Sequence, residues 1–200
     1  RDNNRSRGLG DVYKGQVQSL EDSGELIRVS DPVDVELEAG CIADRLVKRG
    51  GGAILFEQPR LPDGSISDLP LAMNLFGTRD RTNHALGVKK PDEIGNRMVS
   101  LMKPDIGGIM KAPWTGIGLA LEGMSMAPMK VRKGACQQIV IRDPDVTKLP
   151  IPKTWPEDGG RYITLPLVVT ADPETGIHNM GMYRSQVFGP KELGLHWQAH

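Results

Sequence analysis

The stretch YITLPLVVTADPETGIHNMGMYRSQVF, residues 162–188, decides how the second half of this chain folds. Residues 162–171 carry the Val, Leu, Ile, Thr and Tyr of a strand. Asp172-Pro173-Glu174-Thr175-Gly176 reads as a tight reversal, since Pro pre-sets φ, Asp caps its own turn and Gly tolerates a left-handed backbone. Residues 177–188 would return antiparallel, Gly189-Pro190 would turn again, and residues 193–200 would add the third strand of a meander. In that strand His196, Gln198 and His200 share one face and Leu195, Trp197 and Ala199 the other. A solvated face is the plain alternative to a ligand-facing one, and histidines four apart on a strand are rather far apart to share one metal. Asn179 and Arg184 fall on opposite faces of a regular strand; if both meet one ligand the strand must bend, and Gly181 permits that. The second half is therefore expected to be a barrel-like β domain.

Toward the amino terminus the period changes. Residues 136–141 have β patterning, whereas residues 107–129 are rich in Gly, Met and Pro without a clear period and read as a connecting region. Pro91-Asp92-Glu93 opens a helix reaching about Met102, and Thr78 caps a short helix over 79–86 that carries His84 without nearby ligands. A helix over 36–49 would present Leu37, Cys41, Ala43, Leu46 and Val47 as one stripe, with Cys41 in the core. Gly50-Gly51-Gly52 stops it before an apolar strand at 53–56. Phosphate loops need the strand first and the helix afterwards, so these glycines are a helix stop. With a short helix at 17–22, a strand at 25–29 and an apolar run at 69–76, the first half alternates in the manner of an α/β domain.

Lys plus Arg and Asp plus Glu both number 25 and are interspersed, so charge gives no reason to expect nucleic acid or an anionic membrane as partner. The two cysteines, Cys41 and Cys136, form no CxxC pair, which argues against a disulfide framework or structural zinc and suits a reducing cytoplasm. No apolar run is long enough for a bilayer and no signal-peptide pattern opens the chain. Residues 1–16 are set apart from fold reasoning: Asp11 to Gln16 is similar to the translation of a sequencing adapter except at Gly15, and a polar native tail is the equal alternative. The segment ending at His200 lacks a partner strand, so an amino-terminal fragment is expected.

Three motifs in one order change the weight of these readings. Leu20-Glu21-Asp22-Ser23-Gly24-Glu25-Leu26, then the run from Trp155 to Thr164, then Gly176 to Phe188 with Leu195-His196-Trp197-Gln198-Ala199-His200, resemble the UbiD family of decarboxylases over residues 17–200. The resemblance implies an α/β amino-terminal domain over 17–118 and, over 119–200, part of a split β-barrel flavin-binding domain. It implies prenylated FMN with its phosphate held by manganese, potassium being a second candidate ion, and a flavin prenyltransferase as supplier. Asn179 and His200 would be metal ligands, donors that suit manganese better than thiolates would. Met180, Gly181, Met182, Tyr183, Arg184, His196, Trp197 and Gln198 would line the cofactor together with those two. Arg184 would be catalytic, its planar guanidinium holding a substrate carboxylate through two parallel hydrogen bonds.

The implied activity is (de)carboxylation of aromatic or α,β-unsaturated acids, with 4-hydroxy-3-polyprenylbenzoate in ubiquinone synthesis as one candidate. That substrate would bring a cytoplasmic protein to the membrane periphery. The family's catalytic glutamates and dimerisation domain match no position here, since Glu174 and Glu192 lie in turns, so the chain alone is expected to be inactive and its full-length form a homo-oligomer. A flavin-binding split-barrel oxidoreductase and a non-catalytic fragment are the alternatives, although no dinucleotide fingerprint supports the first.

Overall fold

The computed structural model describes residues 9–102, 113–125, 132, 134 and 137–196. Contacts divide the chain into two units, residues 1–16 with 78–139, and residues 17–77 with 140–200. The second unit therefore draws strands from both sides of position 118. Helix α1 (Leu9–Asp22) runs from one set of residues into the other, so helical structure begins within the stretch set apart above.

The second unit opens with β1 (Leu26–Val29), β2 (Val33–Asp34), α2 (Glu38–Lys48), β3 (Ala53–Phe56), β4 (Pro59–Arg60) and β5 (Leu71–Met73). One sheet has the order β1-β3-β5, with β1 parallel and β5 antiparallel to β3; β2 and β4 form a separate parallel pair. All four residues of β3 are buried, as its unbroken apolar run requires. Ile54 and Phe56 join Val33 and Ala39 in a core against which Val29, Ile42, Leu46, Leu71 and Met73 pack. The buried stripe of α2 is thus Ala39, Gly40 and Ala43, not the one through Leu37 and Cys41. Cys41 is exposed, which corrects its expected place in the core.

The cause lies one residue before the helix. Leu37 has φ 67° and ψ −45°, and Glu38 N–H donates to Glu36 O at 2.8 Å across it, a γ-turn with positive φ. The turn is held from outside: Leu37 N–H donates to Lys153 O at 2.8 Å and Lys153 N–H to Val35 O at 3.1 Å. Gly40 then passes so close to Thr154 that a Cβ there would lie 3.2 Å from its backbone. At the other end of the helix Gly52 must be glycine, because a Cβ would stand 2.6 Å from Glu25 O, which accepts Ala53 N–H at 2.7 Å.

The rest of this unit comprises a 3-10 turn at Val146–Lys148 and β6 (Tyr162–Ile163), β7 (Leu167–Ala171), β8 (His178–Met182), β9 (Ser185–Gly189) and β10 (Glu192–Leu195). Both long strands of the expected meander are split. β6 pairs with β9, and β9 with β10, in one antiparallel sheet; β7 and β8 pair in another. Between the Ile163–Ser185 and Leu167–Met182 pairs, three residues (164–166) face two (183 and 184). That is a bulge, and with Pro166 unable to donate a ladder hydrogen bond it ends one sheet and starts the next. The third strand stops at Leu195; residues 197–200 lie outside the described residues. No closed barrel is present among the described residues, and 137–141 form no strand.

In the other unit α3 (Arg79–Leu86) begins as the sequence requires, Thr78 Oγ1 accepting Arg81 N–H at 3.2 Å, and ends at Gly87 with φ 67°. α4 (Asp92–Met102) follows Pro91. The stretch expected to be a connector contains α5 (Pro113–Ser125), which starts with Pro at its first position. Its large apolar residues Trp114, Ile117, Leu121 and Met124 recur at helical spacing, but Gly116, Gly118 and Gly123 between them give the stretch the composition of a connector. Among the described residues no helix is long and apolar enough to cross a membrane.

Candidate functional site

The site residues ride on the two-part hairpin. In the β7–β8 sheet Leu167 faces Met182 and Val169 faces Met180, all four exposed; the opposite side carries Val168 with Gly181 and Thr170 with Asn179. Pleating therefore sends Met180 and Met182 to one face and Asn179 and Gly181 to the other. The turn between the strands is closed by Asp172, whose Oδ1 accepts the N–H groups of Glu174 at 2.7 Å and Thr175 at 3.0 Å. Those backbone donors, Thr175 first, hold its carboxyl below the usual aspartate range.

Asn179 lines an open cleft of about 560 Å³ with Thr170, Ala171, Asp172, Pro173, Ile177 and Tyr183. The Tyr183 ring lies over Gly181, where a Cβ would be 2.5 Å from ring carbon Cε2. The glycine expected to permit a bend is thus the platform for this ring, and the break itself comes two residues later.

Arg184 lies in the break itself and does not line that cleft. Its guanidinium stacks 3.9 Å above the Tyr162 ring centroid, and Nη2 donates to Asp158 Oδ2 at 3.4 Å. Tyr162 is directly opposite Gln186 in the β6–β9 pairing, so Arg184, two residues earlier, is its diagonal neighbour on the same face. Gln186 ties Tyr162 to the loop that carries Asp158: its Oε1 accepts Tyr162 Oη–H at 2.9 Å and its Nε2 donates to Gly159 O at 3.0 Å. Asp158 and Tyr162 had no assigned role in the sequence, although they stand in the Trp155–Thr164 motif. The signal available is an acid before two glycines, four residues ahead of a strand aromatic.

Of the remaining candidates His196 is exposed just past β10, while Trp197, Gln198 and His200 lie outside the described residues. Among the described residues no group of three or more His, Cys, Asp or Glu could hold a metal ion. Asn179 carries a single neutral amide oxygen.

Two domain models cover most of the chain. Residues 17–99 match the 3-octaprenyl-4-hydroxybenzoate carboxy-lyase N-terminal domain, and residues 129–200 match the Rift-related domain of the same enzymes. The chain belongs to the UbiD family. An uncharacterized protein of Archaeoglobus fulgidus is 46% identical over 181 residues, which are 90% of this chain and 36% of that protein. Another from Aquifex aeolicus is 36% identical over 92% of this chain and 37% of its own length. This chain thus spans just over a third of these relatives. Among solved structures, the UbiD-class enzyme HmfF from Pelotomaculum thermopropionicum in complex with FMN is 26% identical, with TM-score 0.65 over 94% of this chain and 37% of that one. The closed form of vanillic acid decarboxylase from Sedimentibacter hydroxybenzoicus shares the fold, with TM-score 0.69 at 23% identity over 91% of this chain and 36% of that one. In UbiD terms, Asn179 and Arg184 both fall within the Rift-related match.

Proposed function

We propose that this chain supplies the amino-terminal domain and part of the split-barrel flavin-binding domain of a prenylated-FMN-dependent (de)carboxylase acting on aromatic or α,β-unsaturated acids. The observation that carries this reading is the pair of UbiD domain matches in family order, with Asn179 on β8 and Arg184 in the break between β8 and β9. Arg184 is half-exposed, so its fork of donors can receive a carboxylate through two parallel hydrogen bonds. Asn179 offers its amide oxygen in the open cleft it lines, a donor that fits a hard divalent ion such as manganese when phosphate oxygens and an imidazole complete the shell. His200 is the imidazole we assign. The prenylated flavin, when bound, supplies the reactive carbon and takes up electrons as carbon dioxide leaves.

The exposed apolar ladder of Leu167, Val169, Met180 and Met182 fits a lining for a planar cofactor or for adjoining strands of the barrel. We assign no general acid within these 200 residues. A polyprenylated hydroxybenzoate as substrate, a homo-oligomeric cytoplasmic enzyme and a separate prenyltransferase as cofactor source complete the proposal. The experiment is reconstitution of the full-length chain with prenylated FMN, with and without manganese, alongside Asn179→Ala. Manganese-dependent binding that Asn179→Ala weakens at least tenfold supports the reading. A folded chain indifferent to prenylated FMN under both conditions overturns it, and flavin reduction by a nicotinamide donor would favour an oxidoreductase.

A further inference from the structure

The Trp155–Tyr162 segment is shaped around Arg184 in a way the proposed reaction leaves unused. Asp158 is only 15% exposed and is fixed by its own loop: its N–H donates to Trp155 O at 3.1 Å, and its Oδ2 accepts Trp155 N–H at 3.2 Å. The loop is pressed onto β9, where a Cβ on Gly159 would come 3.2 Å from Gln186 Nε2. Tyr162 is tied to the same Gln186. Both groups that touch the guanidinium are therefore held by partners other than Arg184.

Arg184, by contrast, is loosely held. Asp158 is its one hydrogen-bonding partner among the described residues, through a single nitrogen at 3.4 Å. Charge-assisted pairs close to about 2.7–2.9 Å and guanidinium–carboxylate pairs are often two-pronged. At 47% exposure the pair is also screened by solvent.

We propose that Asp158 and Tyr162 form an internal seat for the Arg184 guanidinium, and that a carboxylate ligand binds Arg184 by displacing Asp158. This rests on the reading of Arg184 as the carboxylate-holding residue. Tyr162 stacks on the face of the guanidinium and leaves its donor edge free, so the stack can persist while the edge changes partner. Asp158 is then a positioning residue and an internal competitor. It keeps the arginine oriented in the absence of ligand and weakens carboxylate binding by the strength of one exposed ion pair.

The test is the rate at which phenylglyoxal modifies Arg184 in the full-length chain, read by peptide mass spectrometry, with benzoate as the carboxylate probe. Asp158→Asn and Tyr162→Leu should each speed modification about two- to fivefold, the range set by a screened pair. Asp158→Glu and Tyr162→Phe should stay near the parent rate, and Arg28, already ion-paired elsewhere, should report that the fold is intact. Benzoate should protect Arg184 in the parent and at about two- to fivefold lower concentration in Asp158→Asn. An unchanged Arg184 rate in Asp158→Asn overturns the seat, and equal benzoate midpoints in parent and variant overturn the competition. If benzoate protects neither protein at any concentration, the carboxylate role of Arg184 falls, and the displacement proposal with it; that result is distinct from both others.

Discussion

At the scale of single residues, the positions that matter most are those where one atom is all that fits. Gly52→Ala would drive a Cβ into Glu25 O, a backbone atom that cannot swing aside because it is bonded to Ala53 N–H. We expect a loss of about 1–3 kcal/mol, typical of overpacking, read as a lower urea midpoint. Gly95 is the opposite case, an exposed glycine inside α4 where an added Cβ would meet nothing within 4 Å. Gly95→Ala should gain about 0.5–1 kcal/mol in the same measurement. Phe56, fully buried among Val33, Ala39 and Ile54, should lose about 3–5 kcal/mol on truncation to Ala. Some of this was legible in the sequence: Gly50-Gly51-Gly52 reads as a stop. What it could not reveal is that Gly52 abuts a neighbouring strand. The site shows the same limit. Asn179 and Arg184 stand out only through resemblance, whereas Asp158 and Tyr162 meet Arg184 only because β6 pairs with β9.

At the scale of elements, local signals served where the element is made locally. Thr78, the polar first turn and Gly87 delimit α3 without help from the rest of the chain. Removing the cap with Thr78→Ala should cost about 1 kcal/mol and lower helical circular dichroism on mild heating. Elements set by distant partners were misread. The buried face of α2 follows from a γ-turn that Lys153 holds in place, and no periodicity within 36–49 encodes that partner. The long strands looked continuous because their composition is continuous. Their division depends on three residues facing two across the hairpin, a count that exists only once the register is known. α5 is obscured differently: Trp114, Ile117, Leu121 and Met124 share a face, but Gly116, Gly118 and Gly123, poor residues for a helix interior, mask the period.

At the scale of the whole molecule, five solvent-accessible carboxylates share one tendency. Glu21 is held below its usual range by Arg28, Glu57 by Ser30 and Arg28, Asp63 by Lys148, Asp145 by Thr147 and Asp172 by backbone N–H groups. Each has a lower affinity for protons folded than unfolded, so its contribution is complete above the unfolded pKa of about 4 and is lost as pH falls through the folded value. The urea midpoint should therefore be flat from about pH 7 to 5 and fall below about pH 4. Lys148→Met should shrink that fall, because Asp63 then loses its first partner. The α/β half was legible as a class from its alternating elements, whereas its union in one unit with strands beyond position 140 was not. The bridge between Glu36 and Lys153 gives that union a direction in time. On the ribosome, the turn at Leu37 must wait for roughly 116 more residues, about 6–23 s at 5–20 residues per second. Until then the amino end of α2 has no strand to lean on, and the nascent chain must be shielded by the tunnel, by a chaperone or by its own β1-β3-β5 sheet.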